Sequence, residues 1–273
     1  MSEKLRQGII PSARGRRNNR VLVLCYHAVS DDWDASLSVT PSAFRRQLTT
    51  LVSRGWVGAT FTDAVLDPAA AKTLAVTFDD AFDSVRSLAA PVLAELGLPG
   101  TVFVPTDWPG REIMHWPGID QWTATRFRRE LAPMSWDDLR ALASAGWEIG
   151  AHTCSHPHLP QLDTEGTRRE LTESRAVCER EIGRPCRSVA YPFGEADDRV
   201  RAAAAAAGYD AAAGLSPAAF VLRDRFDWPR VGVWHGDRDW RFRLKVSPVT
   251  AQLRASRAVT ALDAIRRPIR VTG

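Results

Sequence analysis

Seven short runs of consecutive apolar residues punctuate the chain, separated by stretches in which apolar residues recur every third or fourth position. The runs are Val21–Tyr26, Leu74–Phe78, Thr101–Val104, Trp147–Ala151, Ser188–Tyr191, Tyr209–Ala213 and Val231–Trp234. Continuous apolar runs suit strands covered on both faces, as in a parallel sheet under helices. The stretches between them carry helix signals. Thr40-Pro41 offers an N-cap followed by proline at the first helical position, and Gly55 a stop. Ser135 with Asp138 resembles a capping box, with Asp in place of Glu or Gln, ahead of a helix ending at Gly146. Further helices are expected over Phe82–Leu96, Thr164–Ile182 and Asp197–Ala207. Strands alternating with helices imply parallel strands joined by right-handed crossovers. The expected fold is α/β, a closed or nearly closed barrel of about seven parallel strands in a single domain.

Two segments break the alternation. Asp107–Pro133 follows a strand, so it should lie on the face where such folds carry their sites. Its Trp108, Trp116 and Trp122 suit either stacking on sugar rings or covering the barrel rim. Near the C-terminus, Leu253, Val259, Leu262 and Ile265 share one face of a helix expected over Ala251–Arg267, with arginines opposite. Such a helix packs on its own domain or makes peripheral contact with a membrane surface. The expected organisation is a disordered basic arm over 1–20, the barrel over 21–247, and a basic amphipathic helix and tail over 248–273.

The polar residues that end four of the runs carry the chemistry: VLVLCYH (Val21–His27), LAVTFDD (Leu74–Asp80), WEIGAHTCSH (Trp147–His156) and SVAYPFG (Ser188–Gly194). The carboxyl ends of parallel strands are where α/β folds place reactive groups. His152 and His156 are spaced so that a helix or tight turn puts both imidazoles on one side, as a metal pair requires. Asp80 would complete a two-His, one-carboxylate set with open positions for water and substrate, suited to Zn²⁺ first and also to Co²⁺, Ni²⁺ or Fe²⁺. Asp79 and Asp80 are adjacent like charges after an apolar strand, costly to bury together unless one binds a cation. One then ligates while the other serves as base; the alternative is that they cap a helix starting near Phe82. His27 is placed to protonate a leaving amine, with His235, at the end of VGVWH, as its rival. The Tyr191–Gly194 turn suits aiming a backbone N–H at a developing oxyanion.

Composition narrows the setting. The chain has 273 residues, 45% hydrophobic and 25% charged, enough for a sizeable core. No run of about 18 apolar residues is present, so no spanning helix is expected. The polar, basic start has no apolar segment of a secretory signal, so a cytoplasmic protein is expected, at most peripheral at the inner membrane face. The net charge of +4 gathers in the tails, and no recognition motif accompanies it, so no nucleic-acid partner is expected. The 4 cysteines lack framework spacing and read as free thiols. No feature of the sequence sets an oligomeric state.

TFDD (Thr77–Asp80), HTCSH (His152–His156) and YPFG (Tyr191–Gly194), in this order, resemble the polysaccharide deacetylase family, the NodB-homology carbohydrate esterases, over about Val21 to Val233. The resemblance implies a metal-dependent hydrolase that removes acetyl groups from N-acetylated sugars (polysaccharide, oligosaccharide or glycolipid precursor), on a distorted (β/α) barrel. It implies Asp79 as general base, Asp80, His152 and His156 as metal ligands, and the Phe193 N–H at the oxyanion. Three features depart from the family pattern. Ala190 stands where many members carry arginine before the proline turn, and Arg230 in WPRVGV is the candidate replacement that orients Asp79. The usual downstream D-S-x-x-D-W is absent, with RDRFDW near Asp224–Trp228 in its region. The acid His is usually on the last strand, whereas CYHAVSDD opens this chain. That opening resembles the circularly permuted branch acting on poly-β-1,6-N-acetylglucosamine and favours His27 over His235. Two other readings stay open: a metal-dependent amidase on a non-polysaccharide substrate, and an inactive carbohydrate-binding relative.

Overall fold

The computed structural model describes residues 20–215, 224–247 and 250. Strand β1 (Arg20–Tyr26) is followed by a small parallel pair, β2 (Ala28–Val29) and β3 (Ser38–Val39), then helix α1 (Pro41–Val52), β4 (Val57–Ala59), α2 (Phe61–Leu66) and β5 (Lys72–Phe78). A π-helical turn over Val85–Ala89 leads into α3 (Ala90–Glu95), β6 (Gly100–Val104), a long loop, α4 (Trp136–Ser144) and β7 (Glu148–Ala151). The chain continues through α5 (Thr164–Ile182), β8 (Ser188–Ala190), α6 (Asp198–Ala206), β9 (Ala211–Gly214), β10 (Trp228–Pro229), β11 (Val231–Gly232) and α7 (Asp239–Lys245).

The strands lie in the order β10-β9-β8-β7-β6-β5-β1-β11, and every pairing is parallel. The two ends of that order are separated in the chain by Arg230 alone. Trp228 pairs with Ala213 of β9 and Val231 pairs with Leu24 of β1. One residue reaches only about 3.5 Å, so this seam brings the first and last strands together and nearly closes the sheet into a barrel. The 9 hydrogen-bonded strands make up about seven staves, as expected. Two short segments, β10 and β11, make up one stave, and β4 is an addition: it lies beside the first half of β5, ahead of β6 on the same edge. Val-Gly-Ala is too short to show a period. Its Gly58 reads as a breaker, yet a Cβ there would come within 2.8 Å of Leu98 and Pro99, so the packing requires glycine.

The expected helix boundaries mark real caps. The Thr40 side chain accepts from Ala43 N–H, and the Ser135–Asp138 capping box is complete in both directions. Helix α5 is capped by Asp163 and ends at Gly183 in the left-handed region, φ 70°. Phe82–Leu96 is not one helix. Phe82 bridges Pro133, a π turn follows, and the α-helix starts at Ala90 with Pro91 in its first turn. Pro91 lacks an N–H and its ring would clash with the carbonyl one turn back, so a regular helix cannot run through it.

Trp33, Phe44, Phe78 and Phe82 are fully buried in the main core cluster. Trp108 and Trp116 of the long loop are buried too, and Trp122 packs edge-on against Trp33. All four cysteines are free and buried. No helix among the described residues is long and apolar enough to cross a membrane. Apart from Arg20, where β1 begins, the expected N-terminal arm lies outside the described residues, as does the expected helix Ala251–Arg267.

Candidate active site

The site forms where β1, β5, β7 and the β10–β11 seam deliver polar residues to the carboxyl end of the barrel. Asp79 continues the β1–β5 pairing, its N–H donating to the Tyr26 carbonyl at 3.0 Å. The next two residues turn the chain with positive φ, 71° at Asp80 and 59° at Ala81. The two adjacent carboxylates therefore point to different partners, and neither caps a helix.

Asp79 receives both arms of the Arg230 guanidinium, Nη1 to Oδ1 at 2.6 Å and Nη2 to Oδ2 at 2.8 Å, and the Cys25 thiol at 3.4 Å. Arg230 is fully buried at the seam. It also donates to the Gly214 carbonyl at 3.3 Å and to Thr77 Oγ1 at 3.2 Å, and it lies over the Phe103 ring. Burial alone would push the Asp79 carboxyl up; Arg230, with His152 and His27, more than reverses this and holds it below the usual carboxylate range.

Asp80 faces the histidines. Its Oδ1 lies 3.4 Å from Nε2 of both His152 and His156 and makes no hydrogen bond, although it is buried. Burial is again outweighed, here by the two imidazoles, and the carboxyl is held far below its ordinary range. His152 Nδ1 lies 2.8 Å from the Ala190 carbonyl, which can only accept, so that nitrogen carries a hydrogen and Nε2 is the one turned toward Asp80. Ala190, at the motif arginine's position, thus contributes its backbone. His152 and His156 sit on a tight loop rather than a helix, with positive φ at Thr153 and His156. His156 N–H donates to Thr153 Oγ1, and its ring stacks on Trp116 with centroids 4.3 Å apart.

The sequence analysis missed what holds this loop. Glu170 of α5 accepts from the N–H of Cys154 at 2.7 Å and of Ser155 at 3.1 Å, and from Ser155 Oγ at 2.7 Å. Its signal was a glutamate in the buried stripe Thr167, Glu170, Leu171, Ser174, Cys178 of an otherwise charged helix.

Asp80, His152 and His156 fit a divalent cation. One anionic oxygen and two imidazole nitrogens converge within 4.8 Å of one another, and the oxygen has no hydrogen-bond partner among the described residues. Cys25, His27 and Asp79 form a second compact group, but both Asp79 oxygens are already taken by Arg230, so a guanidinium fills the cation's place there.

His27 leaves β1 buried beside Asp79, and its ring packs at a tilt against Trp234. Burial pushes its imidazole down against the opposing pull of Asp80 and Asp79. His235 is exposed, and its N–H donates to the Ser36 carbonyl. Phe193 has φ 59° in the Pro192–Gly194 turn; its half-exposed ring lies edge-on to His156 and stacks on His158. The structure thus brings Asp79, Asp80, His152, His156, His27, Arg230 and Phe193 to one barrel mouth and leaves His235 outside.

Comparison with known proteins identifies the fold and the family. YxkH of Bacillus subtilis (strain 168), named for the polysaccharide deacetylases, is 23% identical over 202 residues, covering 72% of this chain and 65% of that protein, just under two thirds of its length. The Streptococcus pyogenes deacetylase PplD, solved in complex with acetate, shares the fold with a TM-score of 0.67 at 20% identity over 84% of this chain and 99% of that one. IcaB from Ammonifex degensii does so with a TM-score of 0.64 at 21% identity over 87% and 98%. The family model for polysaccharide deacetylase matches residues 67–212, more than half the chain and both the Asp pair and the histidine loop, and the chain belongs to that family.

Proposed function

We propose that the protein is a metal-dependent carbohydrate deacetylase that hydrolyses the acetamide of N-acetylated sugars and releases acetate. The observation that carries this reading is the division of labour between adjacent carboxylates: Asp80 faces two imidazoles with an unpaired oxygen, while Asp79 is clamped by Arg230 beside His27. Asp80, His152 and His156 would hold the metal, Zn²⁺ by the chemistry of the donors. Bound there, it supplies Lewis-acid polarisation of the acetyl carbonyl and of a water.

The other steps belong to the chain. Asp79, kept anionic and fixed in direction by Arg230, accepts a proton from the attacking water. The Phe193 N–H donates to the oxygen that becomes negative. His27 gives a proton to the departing sugar nitrogen, so the C–N bond breaks to a neutral amine. Glu170 and the Ala190 carbonyl keep the histidine loop in register. The His27-first order is compatible with the fold because β1 and β11 are paired neighbours, so a His from either end of the chain can reach this mouth. That order supports the poly-N-acetylglucosamine-type branch, with an N-acetylated glycan or glycolipid as substrate.

The test is acetate release from N-acetylglucosamine oligomers after chelation and after readdition of Zn²⁺, Co²⁺ or Ni²⁺, with bound metal measured in parallel. Asp79→Asn should keep the metal and lower turnover about 10²–10⁴-fold. Asp80→Asn should lose metal and turnover together. Near-normal activity of D79N, or a wild-type protein that binds no metal, would overturn the reading.

A further inference from the structure

His27 presents a problem for an acid. Its Nδ1 is buried and has no hydrogen-bond partner among the described residues. A catalytic imidazole is ordinarily aimed by a hydrogen bond from its second nitrogen to a carboxylate or carbonyl. Here the ring is held by a face instead. The Trp234 indole lies against it with centroids 5.2 Å apart and planes 31° from parallel.

The indole is itself fixed from several sides. Residue 234 follows β11, whose pairing with β1 sets Cys25 opposite Gly232, with Val233 N–H donating to the Cys25 carbonyl at 2.9 Å. This register carries Trp234 to the level of His27. At Gly232 a Cβ would come 2.8 Å from Cζ2 and 3.0 Å from Cε2 and Nε1 of Trp234, so the indole lies flat on the glycine backbone. The backbone N–H of Trp234 donates to Asp237 Oδ2 at 2.9 Å, which anchors the residue that carries the indole. Asp237 is buried and held by Lys245, which also donates to the Gly232 carbonyl at 3.0 Å. The run VGVWH, which drew attention for its histidine, thus brings its tryptophan to the site.

We propose that Trp234 is the positioning residue of the general acid, holding the His27 ring by tilted ring-to-ring packing where other enzymes use a carboxylate. The inference rests on His27 being the acid, and the two ideas are separable by leaving group. An amide needs its nitrogen protonated to depart, whereas the 4-nitrophenolate of 4-nitrophenyl acetate departs without help. The experiment compares His27→Ala, Trp234→Ala and Trp234→Phe on an N-acetylglucosamine oligomer and on 4-nitrophenyl acetate, using metal-loaded full-length protein. H27A should lose about 100-fold or more on the amide and only a few-fold on the ester. W234A should show the same split in kcat, about 10–100-fold on the amide with KM within a few-fold, and W234F should regain most of it. Ester turnover also counts folded sites, so a poorly folding W234A remains interpretable. Equal loss on both substrates, or a loss carried by KM, would overturn the positioning role while leaving His27 as acid. An H27A protein without the split would remove the acid reading, and this inference with it.

Discussion

At the amino-terminal end of the barrel, Glu148 opens β7 and accepts from Thr62 N–H at 2.9 Å, Ser188 Oγ at 2.6 Å, Thr101 Oγ1 at 3.4 Å and the Thr62 hydroxyl. At the carboxyl end, Asp80 keeps a buried oxygen without a partner, and Nδ1 of both His27 and His156 is in the same state. All five non-glycine residues with positive φ among those described (Asp80, Ala81, Thr153, His156 and Phe193) also lie at that end. Unsatisfied buried groups and left-handed backbone each cost roughly 1–3 kcal/mol. The half-buried Glu148 is thus satisfied by the protein's own donors, whereas the buried Asp80 keeps an open oxygen in strained surroundings, a state that a bound cation would relieve. The open oxygen of Asp80 points to a cation because two imidazole nitrogens converge on it, which an unmet hydrogen bond alone would not do.

The contrast can be broken most forcefully at Arg230. Arg230→Met strands the Asp79 carboxylate and should destabilise by about 3–5 kcal/mol in urea unfolding, with Asp79→Asn restoring part of the loss. An unchanged unfolding midpoint would mean that the clamp carries no folding energy. Next comes Glu148→Ala, which removes the acceptor from three hydroxyls and one N–H. It should cost about 1–3 kcal/mol while leaving acetate release per folded molecule unaltered. A loss of activity as deep as that of Asp80→Asn would erase the distinction between the two ends.

The smallest effect sharpens the contrast with a buried acid that precedes β10. Asp227 is buried with Oδ1 unpaired and Arg201 3.7 Å from Oδ2. Burial, with Asp224 adding, pushes its carboxyl up to about 6 against the pull of Arg201 and Arg230. The folded protein therefore holds this proton more tightly than the unfolded chain. The stability so gained is present below about pH 4 and lost as pH rises through about 6, at most about 3 kcal/mol. Asp227→Asn should raise Tm at pH 8 and leave it unchanged near pH 4. An equal gain at both pH values would show that ionisation is not the cause.

Much of this architecture is legible in local pattern. The strand runs, the Ser135 and Thr40 caps, and the motifs around Asp79–Asp80 and His152–His156 all lie within a few residues of their partners. Elements without a local period were not legible. β4 is three residues long, and the helix expected from Phe82 is interrupted because Pro91 sits too far inside it. Glu170 reads as one acid among many on a charged helix, and only the packing of α5 under the histidine loop shows what it holds.

By itself, the sequence determined which strands would be buried, that they would run parallel, and that their exits would carry two acids and two histidines at metal-ligand spacing. These follow from hydrophobic period and motif spacing, properties of short segments. Only the tertiary structure decided which partner each acid takes, that Arg230 reaches Asp79 across 151 residues, and that Trp234 rather than His235 faces the site. Those pairings depend on strand register and on the seam where β10 and β11 meet the two ends of the sheet. Register and closure are set by the packing of the whole barrel, which no short stretch of chain encodes.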